Sequence, residues 1–193
     1  MDDARLHRFL KTTAIVLTLA WLGWAAYDGF FAERKPGDGA YLAANKSFED
    51  GRYEKALEGY REALQEAPGH LYALRGKART LLQLGREGEA LRAFNRAIAE
   101  APEFGPTYAN RGILYDRMGR YRKALADYEK ALKLHEELAE GPGWMTRFLR
   151  LQPEAPPTIA DRAEYLRTEL AKPRSERVLR VPEADAEQRP YQM

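Results

Sequence analysis

The chain of 193 residues contains no cysteine, which removes disulfides, zinc–thiolate sites and thiol catalysis together. Serine is almost as scarce, with only Ser47 and Ser175, and the histidines are His7, His70 and His135. No His-x-x-x-His or His-Glu-x-x-His spacing occurs, so metal ligation has no pattern to rest on. Ser47 falls within a repeated helical pattern and Ser175 in a charged tail, neither a setting for a hydrolytic nucleophile. The glycine pairs of GDG (37–39) and GPG (141–143) follow no strand and precede no Lys-Ser/Thr, so they read as turns rather than phosphate loops. An excess of one charge sign is missing too: 31 Lys+Arg stand against 29 Asp+Glu, a formal net charge of +2. Nucleic-acid binders normally need a strong basic excess. The expectation is a protein with no catalytic residue, no metal, no cofactor, no small-molecule substrate and no nucleic-acid partner.

Long apolar runs are absent except for one. Thr12 to Tyr27 carries no charge, and Asp28 is followed by Gly29, Phe30 and Phe31. Residues 12–31 as a helix measure about 30 Å, the thickness of a bilayer's hydrocarbon core. Trp21, Trp24 and Tyr27 gather at one end, where amphipathic rings favour the membrane interface. A cleaved signal peptide is the competing reading: a cut after Ala26 puts bulky Trp24 at the third place before it, while a cut after Ala25 puts Gly23 there, which is tolerable. The expectation is an uncleaved transmembrane anchor over 12–31 behind an N-terminal tail, 1–11. Arg5, Arg8 and Lys11 precede the span while Arg34 and Lys35 follow it closely. That bias favours a cytoplasmic N-terminus and an exported remainder: single-pass in a bacterial inner membrane, with the C-terminal domain in the periplasm.

After a linker (32–36), three blocks of equal length align without gaps: 37–70, 71–104 and 105–138. Ala44, Ala78 and Gly112 hold equivalent places in the first helix of each block, where a small side chain lets a paired helix approach. Gly51, Gly85 and Gly119 end those helices, since glycine adopts the left-handed conformation of a helix terminus without steric cost. Ala56, Tyr60 and Ala63 recur as Ala90, Phe94, Ala97 and as Ala124, Tyr128, Ala131. That spacing makes one apolar helical stripe. Pro68 and Pro102 stop the second helices. Glu136 stands where the third proline is due, so the third block's second helix is expected to run on to about Glu140.

These residues resemble the tetratricopeptide repeat over 37–138. The resemblance implies an all-α fold: a right-handed α-solenoid of three repeats within 37–140, preceded by the transmembrane helix. Solenoids need an end cap over the last repeat's apolar face. WMTRFLRLQ (144–152) reads as a short helix. Thr158 and Asp161 read as a capping box opening a second one, in which Ile159, Ala163, Leu166 and Leu170 share a face. Residues 141–171 are thus expected to supply the cap. The rest, 172–193, reads as an extended or disordered tail, with VLRV (178–181) and the terminal RPYQM as places a partner could grip.

In this family the first helix of each repeat lines a concave surface that holds a partner segment. The resemblance places Tyr41, Asn45, Phe48, Tyr72, Arg75, Arg79, Leu82, Gln83, Asn110, Ile113 and Arg117 on that groove. Asp116 falls on the same face. Arg75 and Arg79 stand four apart on one helix face that carries no acidic residue, a pair suited to a carboxylate. One family subgroup grips a heat-shock chaperone's C-terminal carboxylate with a Lys/Asn/Asn/Lys/Arg clamp. Tyr41, Asn45, Gly76, Pro106 and Asn110 stand at those places here and only Asn45 agrees, so that ligand is not expected. The function implied is a membrane-anchored adaptor or scaffold that docks a protein partner in the assembly of an envelope complex. The alternative is a fixed structural subunit of a membrane complex, held through its span and tail.

Overall fold

The computed structural model describes residues 3–31, 35–140, 145, 157–180 and 191. It divides into two units, 1–35 and 36–193. The first is one helix, α1 (Asp3–Phe31). Its stretch Arg5–Tyr27 has a mean hydropathy of 1.4 and is long and apolar enough, by length and composition, to cross a membrane. Thr12, Thr13 and Thr18 each donate their hydroxyl at 2.9 Å to the carbonyl four residues back. Their polar groups are therefore satisfied inside the helix, which lowers the cost of an apolar surrounding.

The regular structure among the second unit's described residues is helical: α2 (Asp38–Glu49), α3 (Tyr53–Glu66), α4 (Leu71–Gln83), α5 (Glu87–Glu100), α6 (Gly105–Arg117), α7 (Tyr121–Leu134) and α8 (Ile159–Ala171). Within each block the pairs α2–α3, α4–α5 and α6–α7 pack together, and α3–α4 and α5–α6 join neighbouring blocks. The turns inside the pairs follow from chemistry. Gly51, Gly85 and Gly119 have φ of 73°, 67° and 67°, values that side chains with a Cβ adopt only with strain. Ala67 and Ala101 take extended φ, ψ of −138°, 90° and −146°, 79°. The following prolines force that conformation and end the helices.

The repeating stripe forms the core. Tyr60, Phe94 and Tyr128 are fully buried, as are the alanines on either side of each. Removing one such ring from water contributes about 1.5–3 kcal/mol. Gly112 shows why small residues face it: a Cβ there would lie 2.6 Å from the Tyr128 ring.

One expectation needs correction. The third block's second helix does not run on to Glu140. It stops at Leu134, where His135 turns extended (φ −144°, ψ 91°), and a 3-10 turn spans Glu136–Ala139. The His135 ring explains the stop without a proline. Its Nδ1 accepts the Gly105 amide at 3.1 Å, and it meets the Phe104 ring edge-on at 5.7 Å. His135 is thus a fastener between the start and the end of the third block rather than a residue on a solvated helix.

The short helix expected over 144–152 lies outside the described residues, apart from Met145. Beyond it, Thr158 and Asp161 form the capping box at the start of α8. α8 packs on α7, with Ile159, Ala163 and Leu166 buried and Leu170 half-buried. Arg162 leaves α8 to meet Asp116 of α6 through two bonds of 2.7 and 2.8 Å, both side chains buried.

Of the tail, expected to be extended or disordered, residues 177–180 carry no regular secondary structure. The tail's segment 172–180 is tied along α8: the Val178 amide donates to Glu169 at 2.8 Å, the Tyr165 hydroxyl to the Val178 carbonyl at 2.6 Å, and Arg162 to the Leu179 carbonyl at 3.1 Å. Tyr191 packs against the core of the repeats. At these residues the tail is ordered by its own chain.

Candidate partner-binding groove

The residues expected on the groove fall into three groups. Tyr41, Tyr72 and His70 form an aromatic cluster, with the Tyr41 ring 5.0 Å from His70 and 6.1 Å from Tyr72. His70 is fixed by its bonds: Nε2 pairs with Asp38 at 3.0 Å, and Nδ1 accepts the Ala73 amide at 3.2 Å, capping α4. Tyr72 is 56% exposed and open to a ligand. Asn45, by contrast, accepts the hydroxyl of the core residue Tyr60. Burial pushes that phenol up to about 12, against the downward pull of the nearby Arg79 charge.

The second group is the arginine pair. Arg75 and Arg79 are 4% and 6% exposed, so they are not solvated charges. The Arg75 guanidinium lies 3.7 Å from the centroid of the Phe104 ring, and that of Arg79 lies 4.6 Å from Phe48. Such stacking recovers part of the lost hydration. Neither arginine forms an ion pair among the described residues, and the Nε of each is buried without a hydrogen-bond partner. Burial pushes the Arg75 guanidinium below its usual range. A buried charged donor left unpaired costs more than the 1–3 kcal/mol typical of a neutral one.

The third group is the wall around Asn110. Asn110 is fully buried and spends its amide on Tyr191. Its Oδ1 accepts the Tyr191 amide at 2.7 Å, and its Nδ2 donates to the Tyr191 carbonyl at 3.1 Å. Gln83 is half-buried, and Arg117 reaches the Leu82 carbonyl at 3.4 Å. Leu82 and Ile113 depart from expectation: at 2% and 1% exposed they belong to the hydrophobic core and present no free surface. Each falls on the groove-facing side of its helix, but that side is covered here. Asp116 is likewise taken, by Arg162.

Sequence reasoning missed Phe104 and Tyr191 as partners of these residues. Phe104 closes its block and sits one residue before α6, so its signal was its place at a repeat boundary. Tyr191 was visible as the aromatic residue of RPYQM in an otherwise charged tail. Among the described residues no group of His, Asp and Glu is arranged to hold a metal ion.

Comparison with known proteins bears on this geometry. Two tetratricopeptide-repeat family models match, one over residues 47–110 and one over 106–138. Human tetratricopeptide repeat protein 6 is 26% identical over 148 residues, covering 64% of this chain and 28% of that protein. The SGT1 homologue of Oryza sativa subsp. japonica is 33% identical over 120 residues, covering 61% and 30%. The Arabidopsis thaliana Hsp70-Hsp90 organizing protein 3 is 29% identical over 89 residues, covering 46% and 16%. The chain thus spans less than a third of the length of each of these relatives. Among solved structures, the first tetratricopeptide domain of Spaghetti, bound to an HSP90 peptide, superposes with a TM-score of 0.57 at 18% identity, covering 71% of this chain and 94% of that one. MamA superposes with a TM-score of 0.52 at 20% identity, covering 56% and 64%; at such identities the likeness is one of fold. Family models and shared fold together support the tetratricopeptide-repeat family for the repeat region of this chain.

Proposed function

We propose that this protein is a membrane-anchored adaptor whose groove takes an extended, carboxylate-bearing segment of a protein partner, in the assembly of a bacterial envelope complex. The observation that carries the reading is the pair Arg75 and Arg79, buried with unpaired Nε atoms and no counter-ion among the described residues. A carboxylate delivered there would satisfy charge-assisted donors in a low-dielectric site, where each such bond contributes about 1.5–3 kcal/mol. Tyr72 beside them offers exposed aromatic surface to the rest of the segment. Relatives and neighbours named for chaperone partners support a protein-binding role. Of the clamp residues of the heat-shock-binding subgroup only Asn45 is present here, so the partner's chemistry differs from theirs. The apolar helix Arg5–Tyr27 supports the anchor. Anchoring confines the groove to the membrane and raises its effective concentration toward a membrane-associated partner.

The test is photocrosslinking in membranes from position 72, followed by identification of the captured protein and measurement of its affinity. The double variant Arg75→Gln, Arg79→Gln removes both charges while keeping polar side chains in a buried place. Affinity should fall by more than tenfold with helicity unchanged. A folded double variant that binds the same protein as tightly as the parent overturns the reading.

A further inference from the structure

Tyr191 is the one described residue between 181 and 193, and it is held at every polar atom. Its backbone amide and carbonyl are both engaged by the Asn110 side chain, at 2.7 and 3.1 Å. The carbonyl also accepts from Arg79 Nη1 at 3.3 Å. The phenol oxygen accepts the Ile159 amide at 3.2 Å, in the first turn of α8, and donates to the Leu138 carbonyl at 3.4 Å. The ring packs against the repeat core. Two different recognitions are combined here. An asparagine amide matches the N–H and C=O of one extended residue whatever its side chain. The slot between Leu138 and Ile159 selects a side chain with an apolar ring and a polar tip.

We propose that this site is a tyrosine-selective peptide-binding site and that the chain's own C-terminal tail is its resident ligand, which a partner must displace. The site lies on residues of the proposed docking groove, so the displacement step rests on the adaptor reading, while occupancy by the tail does not. Among the described residues, Nε of both Arg75 and Arg79 is left without a partner, and Tyr191 engages one donor of Arg79. A segment that offered a tyrosine and a carboxylate together would make every bond Tyr191 makes and add partners for the two Nε atoms. The tail thus holds the site closed against weak ligands and yields to a better one. Being tethered, it acts at an effective concentration of millimolar order, against which a free peptide at micromolar concentration competes poorly.

The experiment uses the full chain in detergent and a fluorescein-labelled peptide spanning residues 182–193. The Tyr191→Ala chain, its own ligand weakened, should bind the peptide at least tenfold more tightly than the parent does. A peptide with alanine in place of tyrosine should not bind either chain. Because the Tyr191 phenol bonds the first turn of α8, circular dichroism must show the Tyr191→Ala chain as helical as the parent. Adding Asn110→Ala should abolish binding, and because Asn110 is buried, circular dichroism must show that variant folded. Tyr191→Phe in the peptide, which needs no change to the protein, should weaken binding on its own. Equal peptide binding by parent and Tyr191→Ala chains, or equal binding of tyrosine and alanine peptides, overturns the proposal. No partner protein enters the titration. A failed titration with intact partner capture sinks only this inference; the reverse outcome sinks the adaptor reading and the displacement step with it, and leaves occupancy of the site by Tyr191 standing.

Discussion

Asp116 gathers three donors at once: two from Arg162 across the α6–α8 contact and the Tyr128 hydroxyl at 3.2 Å. Both charges are almost wholly out of water, at 5% and 4% side-chain exposure. Buried pairs of this kind add little net stability over an apolar pair, but removing one partner strands the other and costs about 3–5 kcal/mol. Arg162→Ala should therefore lower stability by about that amount in thermal or urea unfolding. A loss under about 1 kcal/mol, the range of exposed pairs, would show that Asp116 finds compensation elsewhere. None of this was legible residue by residue. Asp116 carried only its place on a groove-facing helix side, and Arg162 lay 46 positions away on a face read for its leucines. A pairing between two non-repeated positions leaves no period in the sequence to detect.

At the scale of elements, helices and their ends were readable wherever the local chain dictates them. Glycines with positive φ and prolines that force the preceding residue extended act within a few bonds, so they recur with the repeat. The end of α7 was misplaced because its cause is tertiary: His135 turns away to hold Gly105, 30 residues earlier. The path of 172–180 was hidden for the same reason, since it depends on Glu169. That carboxylate accepts both the Lys172 ammonium and the Val178 amide, and these hold it below the usual glutamate range, the Lys172 bond contributing most. A depressed carboxyl stabilises the folded form above its ordinary value of about 4.3 and loses that contribution as pH falls through the depressed one. The Val178 amide resonance should thus titrate with a midpoint below about 4.3, and the transition should vanish in Glu169→Gln. A midpoint at or above the ordinary value would mean that the carboxylate does not hold this segment.

The whole molecule joins an apolar N-terminal helix to a separate helical unit of repeats. The division into repeats was plain in the sequence because a period survives single lapses such as Glu87, where the other blocks have Tyr53 and Tyr121. The groove was less legible. Periodicity says which side of a helix faces inward, but not that Leu82 and Ile113 are covered or that Asn110 is already engaged. If the proposed anchor spans a membrane, its orientation is a property of this scale, expected from Arg5, Arg8 and Lys11 before the apolar stretch against Arg34 and Lys35 after it. A reporter active only after export, fused behind Met193, should be active. Activity solely from a reporter that works in the cytoplasm would reverse the orientation.

The Arg162–Asp116 pair also bears on which repeat α8 can close. Asp116 occupies the twelfth place of its block, where the other blocks carry Phe48 and Leu82. An arginine arriving from α8 against either of those would be buried beside an apolar side chain, at a cost of several kcal/mol. Helix α8 is therefore matched to the third unit rather than to either of the other two. A rearranged array would keep this contact only where the unit beside α8 carries an aspartate at that place.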